Sequence, residues 1–268
     1  MVDTRPQATA LIDQGLVLVS GTVADKPARL VAPAEPIELL GSRPRFVSRG
    51  GEKLDAALTR FDIDVSGLRA LDAGASTGGF TDCLLQRGAV SVTAVDVGRG
   101  QLHHRLARDP RVDSRERLDI RQVDRGTVGG APVDIVTADL SFISVVRAVP
   151  VLVGAVALPG APVVVLVKPQ FEAGRSEASR GKGVIRDPLI HRRTLGEVAG
   201  ALVGAGAVIM GAMPSPITGS AGNIEFLLHA RTPDASVAGA TPPLAALLDD
   251  VVDEAHHPEP RGSTRPWR

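Results

Sequence analysis

From Lys53 onward the chain alternates short apolar, largely β-branched runs with helical stretches, and no other feature restricts the fold as much. Strands are expected at Arg69 to Ala73, Val92 to Asp96, Val133 to Ala138, Val163 to Val167, Ala207 to Ala212 and Ile224 to His229. Helices between most of them imply an α/β domain, a mainly parallel sheet covered on both faces. The chain before Gly41 reads as a separate small unit: a helix over Pro6 to Asp13, a turn at Gly15, a strand in "LVLVSG" and an extended piece near Ile37 to Leu40. "GSRPRFVSRGG" is rich in Gly, Ser, Pro and Arg and marks a linker. The expected domains are therefore 1–42, a linker at 43–52, a main domain at 53–232 and a tail at 233–268. The tail carries one helix around Leu244 to Val252, and its end is expected to be disordered.

With 268 residues, 44% of them hydrophobic, the chain can bury one large core and one small one. Lys and Arg number 30, as do Asp and Glu, so a nucleic-acid partner would have to be held by a local basic surface. The single cysteine, Cys83, cannot form an internal disulfide, and no signal segment opens the chain. The cytoplasm is the expected location, and Cys83 reads as a small core residue. Val149 to Val167 approaches the length of a membrane span, but Pro159, Gly160 and Pro162 break it. A helix ending near Leu158, followed by a strand buried on both faces, explains both halves, and no stable membrane association is expected.

"LDAGASTGGFTDCLL" (Leu71 to Leu85) places a bare backbone between the first strand of the sheet and a helix. Folds of this kind bind nucleotides there, where the carboxyl ends of the strands open a crevice. The order Gly74, Ala75, Ser76, Thr77, Gly78, Gly79 is not G-x-G-x-x-G, and no P-loop lysine follows. Asp96 ends the next strand about 20 residues on, where an acid commonly accepts both hydroxyls of an adenosine ribose. An adenosine ligand without a pyrophosphate fits both facts, and S-adenosylmethionine is one, with Asp72 and the glycine turn at its amino-acid end. Taken alone, Gly74 and Gly78 are also what a plain tight turn requires.

Two further strand ends carry unexpected polar groups, Asp139 in "TADLSFIS" and Lys168 in "VLVKPQFE". Both point at the same crevice. A lysine closing an apolar strand suits a site, or else a structural ion pair with Asp139. "SAGNIEFLL" adds Glu225 and "SRGGEKL" adds Lys53. No metal is expected.

In order and spacing, "VSRGGEKL", "LDAGASTGGFT", "ADLSFIS", "VKPQFE" and "SPITGSAGNIEFLL" resemble the TlyA family of ribosomal RNA 2′-O-methyltransferases, historically named haemolysins. The resemblance runs to about Arg231. It implies a Rossmann-like class I methyltransferase with a seven-stranded, mainly parallel sheet and a catalytic tetrad of Lys53, Asp139, Lys168 and Glu225. The cofactor residues it implies are Asp72, Gly74, Ser76, Thr77, Gly78, Gly79, Phe80, Asp96, Val97 and Asp139, together with Asp119, which stands where the family usually has asparagine. The N-terminal unit is similar to the second half of an S4-like RNA-binding domain. The resemblance implies that the domain's first helix is missing, so either the natural start lies upstream of Met1, which is the expectation, or the first forty residues are loosely ordered and bind RNA poorly.

A ribose 2′-hydroxyl is a poor nucleophile, and a neutral amine that accepts its proton would activate it. Lys168 is expected to meet the hydroxyl. Lys53 either supplies a second positive charge or anchors a phosphate, and the acids orient the lysines. Ribosomal RNA would be gripped by Arg5, Lys26, Arg45 and Arg49, with Arg43 beside them in the linker, and by Arg175, Arg180 and Lys182 in the Gly/Ser-rich loop after Lys168. "HHRLARDPRVDSRERLDIRQ" alternates arginines with acids and reads as surface. A membrane-active haemolysin would need an apolar span or a basic amphipathic helix, which the sequence lacks. A catalytically silent RNA-binding protein would not need the tetrad.

Overall fold

The computed structural model describes residues 5–13, 15–40, 44–235 and 243–257, with the side chains of Pro6, Gln7, Ala10, Arg175 and Arg180 excepted. Arg43 and the end of the tail, on which the sequence raised expectations, lie outside the described residues. The chain divides into two units, Met1–Arg45 and Phe46–Arg268.

In the first unit, helix α1 (Arg5–Asp13) precedes three short strands, β1 (Val17–Val19), β2 (Thr22–Val23) and β3 (Ile37–Leu39), paired antiparallel in the order β2-β1-β3. Period-two alternation turns Val17 and Val19 to one face, where Leu11 and Ile12 of α1 pack with Val31 and Leu39. Arg5 and Lys26 are exposed.

The second unit runs α2 (Gly50–Arg60), β4 (Arg69–Ala73), α3 (Gly79–Gln86), β5 (Ser91–Asp96), α4 (His104–Ala107), β6 (Val112–Glu116) and β7 (Ile135–Ala138). It continues through β8 (Pro162–Val167), α5 (Pro169–Glu172), α6 (Arg175–Arg180), α7 (Pro188–Gly204), β9 (Val208–Pro214), β10 (Phe226–Arg231) and α8 (Leu244–His256). The seven strands lie in the order β6-β5-β4-β7-β8-β10-β9. β5, β6, β7 and β8 join β4 in parallel, and β10 runs antiparallel to β8 and β9. Apolar β-branched residues dominate β8, as a central strand covered on both faces requires, and Val163 to Val167 are all fully buried.

Chain direction reverses across the sheet between β4, which leads outward to β5, and β7, which leads to β8. Such a switch point opens a crevice at the strands' carboxyl ends. Because β10 is antiparallel, its beginning reaches that same edge. Phe226 pairs with Val167, which carries Glu225 to the level of Lys168.

Three sequence expectations need correcting. The stretch read as surface is largely exposed, as expected, but it also contains β6, the seventh strand; its edge position leaves Asp113, Ser114 and Arg115 exposed, so no apolar alternation marks it. The apolar run from Val149 is helical only over Pro150–Ala155, as a π-helical turn. Among the described residues no helix is long and apolar enough to cross a membrane. Asp72 lies inside β4, is fully buried, and its Oδ2 accepts a 2.6 Å hydrogen bond from the Thr81 hydroxyl. A side chain within the strand faces packed neighbours, and Asp72 lines neither cavity of the crevice.

Burial raises the Asp72 pKa from 3.8 to about 7; the Thr81 bond opposes the shift, and the charge of Asp139 adds to it. The unfolded carboxyl ionises near pH 4 and the folded one near 7. Its contribution to stability is therefore present below pH 4 and lost as pH rises through about 7. His229, whose pKa burial lowers to about 4, acts in the opposite sense over an overlapping range. Subtracting the Asp72→Asn variant from the wild type cancels His229. The difference in urea-unfolding free energy should fall with pH between 4 and 7, by up to about 1.4 kcal/mol per pH unit. A flat difference would show Asp72 ionised in the fold.

Candidate active site

The glycine loop makes a close approach possible. Gly74 has φ +85°, and a Cβ there would lie 2.5 Å from the backbone oxygen of Asp139. Only a bare backbone lets the ends of β4 and β7 come this near. A Cβ on Gly79 would lie 2.9 Å from the Gly51 nitrogen, so this glycine admits the start of α2. Leu54, Ala57 and Leu58 bury one face of α2 and bring Lys53 along with them.

Two cavities result. The smaller, about 350 Å³, is lined by Ser48, Arg49, Gly50 and Lys53, by Gly74 to Thr77 with Gly79 and Phe80, by Asp139 and Lys168, and by Gly219, Ser220 and Glu225. The larger, about 510 Å³, is lined by Val95 to Gly98, Gln101, Leu118 to Arg121, Leu140 to Ile143 and Arg147. Gly74, Ser76 and Asp139 line both.

Asp96 stands at the end of β5 in the larger cavity. Its Oδ2 accepts from the Ser76 amide at 2.8 Å and its Oδ1 from the Gly98 amide at 2.6 Å. A carboxylate has about four acceptor positions, so both oxygens keep capacity for ligand hydroxyls. Val97, Ile120, Leu140 and Phe142 supply apolar walls. Asp119 caps a single turn, and its ion pair with Arg121, 2.5 Å long, holds its pKa down at about 2.

In the smaller cavity two lysines each meet a carboxylate. Lys168 Nζ lies 2.5 Å from Asp139 Oδ1 and donates to the Ser141 hydroxyl at 2.8 Å. Lys53 Nζ lies 2.5 Å from Glu225 Oε2, and the Gln170 amide donates to Glu225 Oε1 at 3.4 Å. Both lysines and Glu225 are buried. A lone buried charge costs several kcal/mol, which explains why each lysine is paired. Sequence reasoning missed Ser141 and Gln170, though each sits inside a quoted motif.

The site brings together Lys53, Asp139, Lys168, Glu225, Gly74, Ser76, Thr77, Gly79, Phe80, Asp96, Val97 and Asp119. Asp72 is left out, and so is Gly78. A Cβ on Gly78 would meet Leu106 Cδ1 at 2.2 Å and Leu102 Cδ1 at 2.8 Å, so this glycine serves packing against Leu102 and α4. Of the remaining expected RNA contacts, Arg49 lines the smaller cavity, and Arg45 and Lys182 are exposed.

The residues present fit S-adenosylmethionine: Asp96 can hold a ribose, the apolar walls an adenine and the glycine loop an amino-acid end. Sheet order, the glycine loop and an acid ending β5 are the features expected of a class I, S-adenosylmethionine-dependent methyltransferase. The profile of the FtsJ-like methyltransferases matches residues 46–232, and that of the S4 domain residues 1–37. The 16S/23S rRNA (cytidine-2′-O)-methyltransferase TlyA of Mycobacterium tuberculosis is 46% identical over 230 residues, 85% of each chain. Hemolysin A of Brachyspira hyodysenteriae is 37% identical over 228 residues, 85% of this chain and 93% of that one. A solved structure described as a candidate hemolysin of Streptococcus thermophilus superposes with a TM-score of 0.78 at 39% identity, covering 94% of this chain and 90% of the other. The chain belongs to the TlyA family of FtsJ-like methyltransferases.

Asp96→Ala should weaken S-adenosylmethionine binding by about 1–3 kcal/mol in a calorimetric titration, through loss of charge-assisted bonds. Unchanged affinity would remove Asp96 from the site. Gly78→Val should lower the thermal midpoint through its clash with Leu102 and Leu106. A variant as stable as the wild type would contradict that account.

Proposed function

We propose that this protein transfers a methyl group from S-adenosylmethionine to the 2′-hydroxyl of a ribose in ribosomal RNA, at cytidine. The observation that carries the reading is the convergence of two lysine–carboxylate pairs on a cavity that shares Gly74, Ser76 and Asp139 with the ribose-acid cavity. The FtsJ-like profile, the S4 match and the rRNA-modifying relatives support the choice of substrate.

When bound, the cofactor supplies a methyl group on a positively charged sulfur. Lys168 acts from its neutral form: once its own proton has passed to solvent, the Nζ lone pair takes the proton of the attacking hydroxyl. The two remaining N–H bonds donate to Asp139 and Ser141, which leaves the lone pair directed at the substrate. Asp139 also offsets the positive charge that develops on Lys168 as the proton arrives. Lys53, held by Glu225, sits in the same cavity and keeps a cation near the RNA phosphate. RNA is gripped by Arg5, Lys26, Arg45, Arg49, Arg175, Arg180 and Lys182, and these contacts position the ribose without reading its base.

Lys168→Ala should abolish methyl transfer to ribosomal subunits and leave cofactor affinity within about threefold of the wild type, because the lysine acts in the transition state. The wild-type product should resist alkaline cleavage at the modified nucleotide. Near-normal turnover by the variant would place the base elsewhere, and a methylated base in place of a methylated ribose would overturn the reading.

A further inference from the structure

Two of the motifs end in residues that the reaction does not use, Ser144 in "ADLSFIS" and Glu172 in "VKPQFE". The structure joins them. The Ser144 hydroxyl donates to Glu172 Oε2 at 2.6 Å, and the Val145 amide donates to Oε1 at 2.8 Å. Both carboxylate oxygens of Glu172 are thus engaged by the segment that follows β7.

That segment needs fixing. Phe142 is held at φ +66°, a left-handed conformation that costs a bulky residue about 1–2 kcal/mol, and its ring is 93% exposed. Leu140 to Ile143 form one wall of the larger cavity, and Asp139 and Ser141 hold Lys168. At its near end the segment is tied to β4 by the Asp139 amide, which donates to the Ala73 carbonyl at 2.9 Å. At its far end the tie is Glu172. Lys168 and Glu172 bracket the short helix α5, so one rigid turn grips the segment at both Ser141 and Ser144.

We propose that Glu172 is a positioning residue that holds the wall 139–145 against the cofactor cavity and keeps Asp139 and Ser141 aligned on Lys168. It touches neither cofactor nor substrate. Its effect on Lys168 rests on the proposed reaction, whereas its effect on the cofactor wall can be read without RNA.

The experiment compares Glu172→Ala and Glu172→Gln with the wild type in S-adenosylmethionine titrations and in hydrogen exchange of the Val145 amide, with urea unfolding as a control. Glutamine can still accept from the Val145 amide while its NH₂ group donates to the Ser144 oxygen, so it should stay within about threefold of the wild type. Alanine should weaken cofactor binding and speed Val145 exchange by about tenfold or more, as expected for two lost charge-assisted bonds. Should the alanine variant fail to fold, Ser144→Ala removes one arm, together with the 3.2 Å bond that its hydroxyl accepts from the Val146 amide, and should weaken binding about threefold. Wild-type affinity and exchange in Glu172→Ala, or in Ser144→Ala where that variant stands in, would overturn the proposal. Equal losses in the alanine and glutamine variants would do so too. Failure of the wild type to methylate ribosomal subunits in a separate assay would refute the proposed reaction and leave the cofactor result standing.

Discussion

A buried ammonium is tolerable only beside a carboxylate, and the sheet of this protein delivers two such pairs to one edge. Lys168 closes β8 and Asp139 follows β7; the parallel pairing of these strands sets the two residues side by side. Lys53 arrives on α2, and Glu225 comes from the start of a strand that runs the other way. Were β10 parallel, its first residue would lie at the opposite edge of the sheet. The antiparallel strand is thus a geometric condition for the second pair, and the bare backbone at Gly79 is another, because it admits the helix that carries Lys53. Removing either carboxylate, or Lys53, would leave a buried charge uncompensated, which typically costs about 3–5 kcal/mol.

Much of this was legible in the sequence because the signal is a contradiction. Lys168 and Asp139 are polar groups ending apolar strands, and that placement needs either a partner or a function. The same signal says less at Asp72. It too is an acid among apolar residues, but it lies inside β4, where its nearest polar contact is the Thr81 hydroxyl. Two positions further along the chain, Gly74 lines both cavities, and pattern alone does not say where within the strand the sheet edge falls. Gly78 is ambiguous for a related reason: a glycine reveals that space is short, but not whether a ligand or Leu106 takes it. β6 escaped notice because an edge strand with charged residues toward solvent has no apolar period to detect. Ser141 and Glu172 lay in plain view within their motifs, yet their partners come from segments far apart in the chain, and no local rule predicts tertiary hydrogen bonds.

The division of the crevice into two cavities also bears on how the site works. Their shared lining is small: Gly74, Ser76 and Asp139. Each of the three also fixes a neighbour. Gly74 lets the Asp139 backbone approach, the Ser76 amide donates to Asp96, and the Asp139 side chain meets Lys168. A displacement of the β7 segment would therefore move the cofactor wall and the lysine's partners together. Cofactor binding and alignment of the proposed base are coupled through one short stretch of backbone, and a strained Phe142 within it means that the stretch does not hold this shape by local preference alone. The restraint has to come from outside, from the β4 carbonyl at one end and from Glu172 at the other.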